Sequence, residues 1–179
     1  MLFILISIIL GFQVTTTYAN ETSIQSENAS TMYHLLSEDD NFSGYFCIPD
    51  VGINVPIYYI NYDVWTSPTI AAQNYTDLEN AATLLEGWTN YLIVADHIDQ
   101  SFQNLPSVEV GSTAFIQWYD NTILEFVCVE TGVGLNDGYE LYDQNGSSYY
   151  DWDCDLVTYT CNHDFVDGIT FSKWKYKPV

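Results

Sequence analysis

Short runs of apolar residues, many of them alternating with polar ones, follow one another along the chain from about residue 43. Alternation with a period of two and enrichment in Val, Ile, Tyr and Phe are typical of β-strands. The predicted strands are Gly44–Pro49, Ile53–Ile60, Tyr91–Ala95, Thr113–Tyr119, Ile123–Glu130, Asp155–Cys161 and Ile169–Trp174. With about seven or eight strands, the chain is predicted to be a mainly β barrel or sandwich.

Three stretches depart from the strand pattern. Thr76–Glu86 has apolar residues at helical spacing, a capping box at its start and Gly87 as a stop, so we predict an amphipathic helix there. Ser101–Leu105 is predicted to form one helical turn. Residues 131–154 are polar and aromatic, and they predict a connection whose length is typical of functional or disordered loops.

The N-terminal region predicts export. Leu2–Phe12 is almost entirely apolar but short for a membrane span, and small residues follow it at Thr17 and Ala19. Residues 1–19 therefore indicate a cleaved signal peptide, residues 20–42 a flexible leader, and residues 43–179 a single domain. The expected location is extracellular or at the cell surface. Only an uncleaved N-terminal segment would hold the protein to a membrane.

Acidic residues dominate the charge of the chain. Its 24 Asp and Glu residues face only three lysines and no arginine, for a formal net charge of −21. Without a basic patch, nucleic acid is not an expected partner. The acidity favours solubility outside the cell and repulsion from anionic membrane surfaces.

The four cysteines leave several pairings open. An exported chain with Cys47, Cys128, Cys154 and Cys161 can form two disulfides, for example Cys154 with Cys161, or keep all four thiols free. The sequence contains no C-x-x-C motif, and its histidines do not lie at ligand spacing from the cysteines, so a zinc site is not expected.

No cofactor is expected, although one acidic stretch leaves calcium open. Asp151, Asp153 and Asp155 alternate along the approach to the last strand pair, and carboxylate oxygens are calcium ligands. A solvated acidic loop is the other interpretation, because no glycine turn of a calcium loop accompanies them.

The candidate chemistry lies at the ends of two apolar runs. Tyr91–His97 ends on a histidine, and Leu156–Cys161 ends on a cysteine. If these ends meet, His97 and Cys161 can form an imidazole–thiol pair for nucleophilic catalysis. His163 is the rival partner, because its position two residues after the cysteine places it on the same face of a strand.

The order of these stretches resembles that of the sortase family of cysteine transpeptidases, from about residue 44 to 175. The resemblance is carried by Gly44–Pro49 with Ile53–Ile57, by Asn90–His97 with Phe102 and Leu105, by Val108–Ala114, and by Leu156–Cys161. Within the family, the Ala-Asp-His and Tyr-Thr-Cys motifs are similar to those of a divergent, class B-like group of small sortase-like proteins.

The resemblance implies a closed β-barrel of about eight strands with one or two short helices. It also implies that Cys161 attacks a peptide carbonyl in the sorting signal of a surface protein and that His97 protonates the leaving amine. The resulting acyl-enzyme would pass to an amine acceptor, whose identity the sequence leaves open, or to water.

The chain departs from the family at the third catalytic position. Sortases carry an arginine on the strand after the cysteine, whereas Gly168–Trp174 contains none. Thr170 or Lys173 is the expected replacement as oxyanion partner, although neither offers the paired donors of a guanidinium. Asp96 stands where the family has glycine beside the histidine, and strand alternation would point it away from His97. The competing hypothesis is an inactive sortase-fold module that binds a partner at the cell surface.

Overall fold

The computed structural model describes residues 42–60, 81–86, 89–164 and 166–178. This part of the chain contains nine strands and only short 3-10 segments as helical structure. The strands are β1 (Phe42–Ile48), β2 (Ile53–Ile60), β3 (Ala82–Glu86), β4 (Leu92–Ala95), β5 (Thr113–Trp118), β6 (Ile123–Asn136), β7 (Leu141–Asp143), β8 (Leu156–Asn162) and β9 (Gly168–Tyr176). The 3-10 segments are Pro49–Val51, Leu105–Ser107 and Tyr149–Asp151.

Eight of the strands close into a barrel. Their order is β5-β1-β2-β3-β4-β8-β9-β6, and β6 pairs back with β5 to complete the ring. The β2–β3 and β4–β8 pairs are parallel and the others antiparallel, while β7 adds to β6 outside the ring. The predicted closed, mainly β barrel is confirmed.

The barrel interior is an apolar core to which all eight ring strands contribute. Alternation along each strand sends every second side chain inwards, as with Phe46 and Ile48 of β1. The fully buried Trp174 of β9 lies in this core, and its indole N–H donates to Thr158 Oγ1 of β8 at 3.0 Å.

A second core lies on the outer face of β3, β4, β8 and β9. Side chains that alternate with the inward set, such as Ile93 and Val157, pack there against the segment that leads from β7 to β8. Within that segment the Trp152 ring lies 4.9 Å from the Phe171 ring, and the Tyr149 carbonyl accepts a hydrogen bond from the Tyr91 hydroxyl. The β4 and β8 strands are therefore buried on both faces.

The predicted helix over Thr76–Glu86 is wrong where the structure describes it. Residues 82–86 form β3, which runs parallel to β2 and antiparallel to β4. Ala82 and Leu84 face the barrel interior, whereas Leu85 faces the outer core. A strand buried on both faces is a continuous apolar run, and over so few residues it also satisfies helical spacing.

The predicted loop over residues 131–154 contains more regular structure than the sequence indicated. β6 continues to Asn136 along β9. β7 pairs with the end of β6, where Gly134 lies opposite Asp143. Gly134 is required there, because a Cβ at this position would stand 2.1 Å from the Tyr142 carbonyl oxygen.

Several sequence predictions fall on residues that the structure does not describe. These are the signal peptide over 1–19, nearly all of the leader over 20–42, and the first half of the predicted helix. In the described ranges no helix is long and apolar enough to cross a membrane.

Candidate active site

The parallel pairing of β4 with β8 brings the histidine and the cysteine to one edge of the barrel. Ala95 lies opposite Tyr159, and the Asp96 N–H continues the pairing to the Tyr159 carbonyl at 3.5 Å. His97 and Cys161 each stand two residues beyond that matched pair. Because neighbouring strands lie about 4.8 Å apart, the two residues leave their strands side by side.

The cysteine belongs to the outer side of the barrel. Cys161 shares a face of β8 with Val157 and Tyr159, which point to the outer core. The cysteine stands past the end of that core and is exposed, whereas His97 is half-buried. The outer core thus ends at a thiol that a peptide can reach.

Burial raises the pKa of the Cys161 thiol, and the negative charge of Asp99 raises it further. Asp99 stands two residues after His97 in the turn that leaves β4. Both effects disfavour the thiolate, which is the reactive form of the cysteine.

His163 lies close to the same turn. Its Nδ1 is 3.9 Å from Asp99 Oδ1, and both side chains are largely exposed. His97 follows β4 and His163 follows β8, so the rival partner that the sequence suggested lies at the same edge of the barrel as His97 and Cys161. The sequence analysis missed Asp99, although an acidic residue two positions after the histidine was visible in Asp96–Asp99.

Asp96 does not point into solvent. It is 3% exposed, and its two carboxylate oxygens accept the backbone N–H groups of His97 and Ser101, each at 2.8 Å. The carboxylate is therefore directed to the His97 backbone, and not away from the histidine as strand alternation suggested.

Lys173 is held away from the cysteine. It pairs with Val157 of β8, four residues before Cys161, which corresponds to about 13 Å along the strand. Its Nζ lies 2.9 Å from Glu130 Oε1, 3.5 Å from Asp143 Oδ2 and 4.4 Å from the centre of the Trp152 ring. The structure therefore does not bring Lys173 to the thiol.

Thr170 lies on the other face of β9. The residue directly opposite Cys161 is Ile169, and alternation directs Thr170 to the opposite side, where its Oγ1 accepts from Asn162 Nδ2 at 3.1 Å. On the face of β9 that Cys161 shares, the residues nearest to it are Ile169 and Phe171, both apolar and buried.

The remaining lysines are engaged elsewhere. Lys175 pairs with Asp153 and Lys177 with Glu125, each at 2.6 Å. Since the chain has no arginine and only three lysines, the positive charge that the described residues can offer near Cys161 comes from histidine.

All four cysteines are free. Cys154 cannot reach Cys161, because Asp155 already pairs with Trp174 at the far end of β8, at least about 16 Å along the strand from Cys161. Cys47 alternates with inward-facing residues of β1, whereas Cys128 points into the barrel. Cys161 is the exposed thiol of the four.

Two of the three aspartates considered for calcium have separate partners. Asp153 pairs with Lys175, and Asp155 Oδ2 accepts the Tyr176 N–H at 2.7 Å. Among the described residues, no group of three or more His, Cys, Asp or Glu side chains is arranged to hold a metal ion.

Comparison with known proteins gives a match at the level of structure. No protein-family model matches the chain, and no curated protein does. Sortase C1 from Streptococcus suis matches with a TM-score of 0.57 at 18% identity, over 84% of this chain and 80% of that chain. The chain has a sortase-like fold.

Two further sortase structures match at a similar level. Sortase C from Clostridium perfringens SM101 gives a TM-score of 0.53 at 17% identity, over 82% of this chain and 75% of that chain. Clostridium perfringens sortase C with the C-terminal cell wall sorting motif gives 0.52 at 15% identity, over 78% of this chain and 73% of that one. These matches are to class C sortases, so the class B-like grouping stays a prediction.

Proposed function

We propose that this protein is an exported sortase-like cysteine transpeptidase or peptidase that cleaves a peptide bond in the sorting signal of a surface protein. The observation that carries the proposal is the placement of Cys161, an exposed thiol, beside His97 at the ends of two parallel strands. A thiol and an imidazole so placed are the groups that nucleophilic acyl transfer needs.

The proposed reaction has two steps. The Cys161 thiol gives its proton to His97, the thiolate attacks the peptide carbonyl carbon, the C–N bond breaks, and His97 gives that proton to the leaving amine, which leaves a thioester on Cys161. An amine acceptor, or water, then attacks the thioester and gives a proton to His97, the C–S bond breaks, and His97 returns the proton to the departing sulfur, so that the Cys161 thiol is regenerated.

The missing arginine predicts slow turnover. Removal of one oxyanion donor typically costs about 10²–10³ in rate. Thr170 and Lys173, the expected replacements, are directed to the barrel interior and to a buried ion pair. Backbone N–H groups and the imidazole of His163 are left as the donors for the developing oxyanion.

The substrate is proposed to be an extended peptide. One of the matching sortases was solved with a cell wall sorting motif, which supports a peptide from a surface protein as the substrate here.

The test uses the full chain and a pool of synthetic peptides with random sequence, with and without a triglycine acceptor. We expect a covalent adduct on Cys161, seen by intact-protein mass spectrometry, and its discharge by triglycine. Cys161→Ala should form no adduct, and Asp50→Asn, in the β1–β2 turn, should behave as the wild type. No adduct with any peptide, although Cys161 remains alkylatable, would reject the proposal.

The alternative is a sortase-fold module that binds a partner without catalysis. Two observations favour it, namely the absence of arginine and the raised pKa of the Cys161 thiol. In that case Cys161→Ala should bind the same surface proteins as the wild type, as measured by pull-down, and no peptide should be consumed.

A further inference from the structure

The turn after β4 is built around one buried carboxylate. Asp96 is the first residue after the strand, and its neighbour Ala95 is also buried. Oδ1 accepts the His97 N–H and Oδ2 accepts the Ser101 N–H, both at 2.8 Å. The carboxylate thus fixes the beginning and the end of the turn that contains His97.

Burying an ionised carboxylate costs free energy unless a cation or hydrogen bonds offset the loss of hydration. A buried carboxylate loses its hydration, and none of the three lysines pairs with it, since each pairs with other carboxylates. Burial raises the pKa of Asp96, while hydrogen bonds from Ser101 and His97, and the charge of an imidazolium at His97, oppose the rise. The described cation nearest in sequence to this carboxylate is therefore His97 itself.

We infer that Asp96 is a positioning residue for His97. It holds the histidine backbone at the end of β4 and places a negative charge beside the imidazolium that forms when His97 takes a proton. The inference rests on the proposed function, because that function gives His97 the role of general acid. Glycine, which the sortase resemblance places here, would supply neither the bonds nor the charge.

The titratable groups around this turn define how a test must be designed. The turn itself carries His97 and Asp99, and β8 with the residues that follow it contributes Cys161 and His163. Because Asp99 also acts on the thiol, a change in the reactivity of Cys161 is assigned to Asp96 only if it requires His97.

The experiment is a double-mutant cycle on the alkylation of Cys161 by iodoacetamide, followed by peptide mapping across the pH range in which histidine and cysteine titrate. The proteins are wild type, Asp96→Asn, His97→Ala and the double variant. Asp120→Asn is the matched control, because Asp120 also accepts a backbone N–H, that of Thr122, in the β5–β6 hairpin.

We expect Asp96→Asn to slow alkylation at neutral pH by about tenfold, in line with the cost of misplacing a catalytic group, and to remove the part of the pH profile that depends on His97. In the His97→Ala background the same change should alter the rate by less than about twofold. Amide exchange at His97 and Ser101 should become faster in Asp96→Asn and stay unchanged in Asp120→Asn.

The outcomes separate the inference from the proposed function. If His97→Ala alkylates as fast as the wild type, the proposed function fails and the inference fails with it. If His97 matters but Asp96→Asn retains its contribution, or slows both backgrounds equally, only the inference is overturned. Should Asp96→Asn fold poorly, Asp96→Ser keeps one acceptor for the turn and should give an intermediate rate.

Discussion

The environment of Cys161 combines an accessible thiol with influences that keep it protonated. Burial and the carboxylate of Asp99 both raise its pKa. No lysine opposes them, because the three in the chain pair with carboxylates elsewhere. Among the described residues, histidine is therefore the cation that can act on the thiol, and we expect the reactivity of Cys161 to depend on pH.

Asp99→Asn tests this electrostatic effect. A nearby negative charge disfavours the thiolate, so its removal should lower the pKa of Cys161 and raise alkylation at neutral pH by about two- to fivefold. The gain should shrink in high salt, since Asp99 is exposed. The measurement is the rate of iodoacetamide alkylation against pH. An unchanged profile would show that Asp99 does not act on the thiol.

The sequence predicted the positions of His97 and Cys161 but not their surroundings. Each is a residue capable of acid–base or nucleophilic chemistry at the end of an apolar run, and the ends of such runs can be identified from the sequence. The direction of Asp96 and the approach of Asp99 depend on the turn after β4, which no periodicity describes. The engagement of Lys173 was not predictable because its ion-pair partners, Glu130 and Asp143, are distant in sequence.

At the scale of elements, the β4–β8–β9 sheet is the frame of the site. β8 pairs with β4 along residues 156–159 and with β9 along its whole length. It is buried on the inner face by the barrel core and on the outer face by residues 144–155, the covering segment. The pairing and burial of β8 determine where the thiol lies.

Two threonines of β8 test the inner face of this frame. Thr158 accepts the indole N–H of Trp174, whereas Thr160 Oγ1 is buried without a hydrogen bond to another described side chain or backbone group. Thr158→Val should lower the free energy of unfolding by about 1–3 kcal/mol, because the buried N–H loses its acceptor. Thr160→Val should change it by less than about 0.5 kcal/mol or stabilise the protein. Urea unfolding measures both, and equal costs would contradict the assignment.

β1, β2 and β5 were predictable because they alternate, and β4, β8 and β9 because they are rich in β-branched and aromatic residues, whereas β3 has neither feature. β1, β2, β4, β5, β8 and β9 lie within about two residues of their predicted bounds, which is the usual error at element ends. Residues 82–86 are apolar on both faces, and a run without alternation does not distinguish strand from helix. The pairing of these residues with β2 and β4 determines that they form a strand.

At the scale of the whole molecule, a strongly acidic protein uses its few cations in structure. Lys173 connects β9 to Glu130 of β6 and Asp143 of β7, beneath Trp152. Burial alone would raise the pKa of Asp143, but backbone N–H groups of Ser147 and Asn145 and the charge of Lys173 lower it overall. The covering segment is therefore attached to the barrel by charge as well as by apolar contacts.

Lys173→Met should lower the free energy of unfolding by about 2–4 kcal/mol, since the buried carboxylate of Asp143 loses its cation and keeps only the N–H groups of Asn145 and Ser147. Because the pKa of Asp143 is lowered in the folded state, its stabilising contribution is present above the ordinary pKa of about 4 and is lost as the pH falls through the lowered value. The cost should shrink in the same acidic range.

Lys177→Met is the matched control, because Lys177 pairs with Glu125 at the surface and should cost less than about 0.5 kcal/mol. Urea unfolding at neutral and acidic pH gives both values. Equal costs for the two variants would contradict the role of the buried pair, and slower alkylation of Cys161 in folded Lys173→Met would return Lys173 to the site.

The central claim is that His97 and Cys161 act as a pair at the ends of β4 and β8. Its most direct test is the rate of Cys161 alkylation by iodoacetamide at neutral pH, resolved by peptide mapping, in wild type and His97→Ala. The account predicts that the variant reacts at least about tenfold more slowly, while the buried Cys128 and Cys154 stay unreactive in both proteins. Equal rates at Cys161 would contradict the claim.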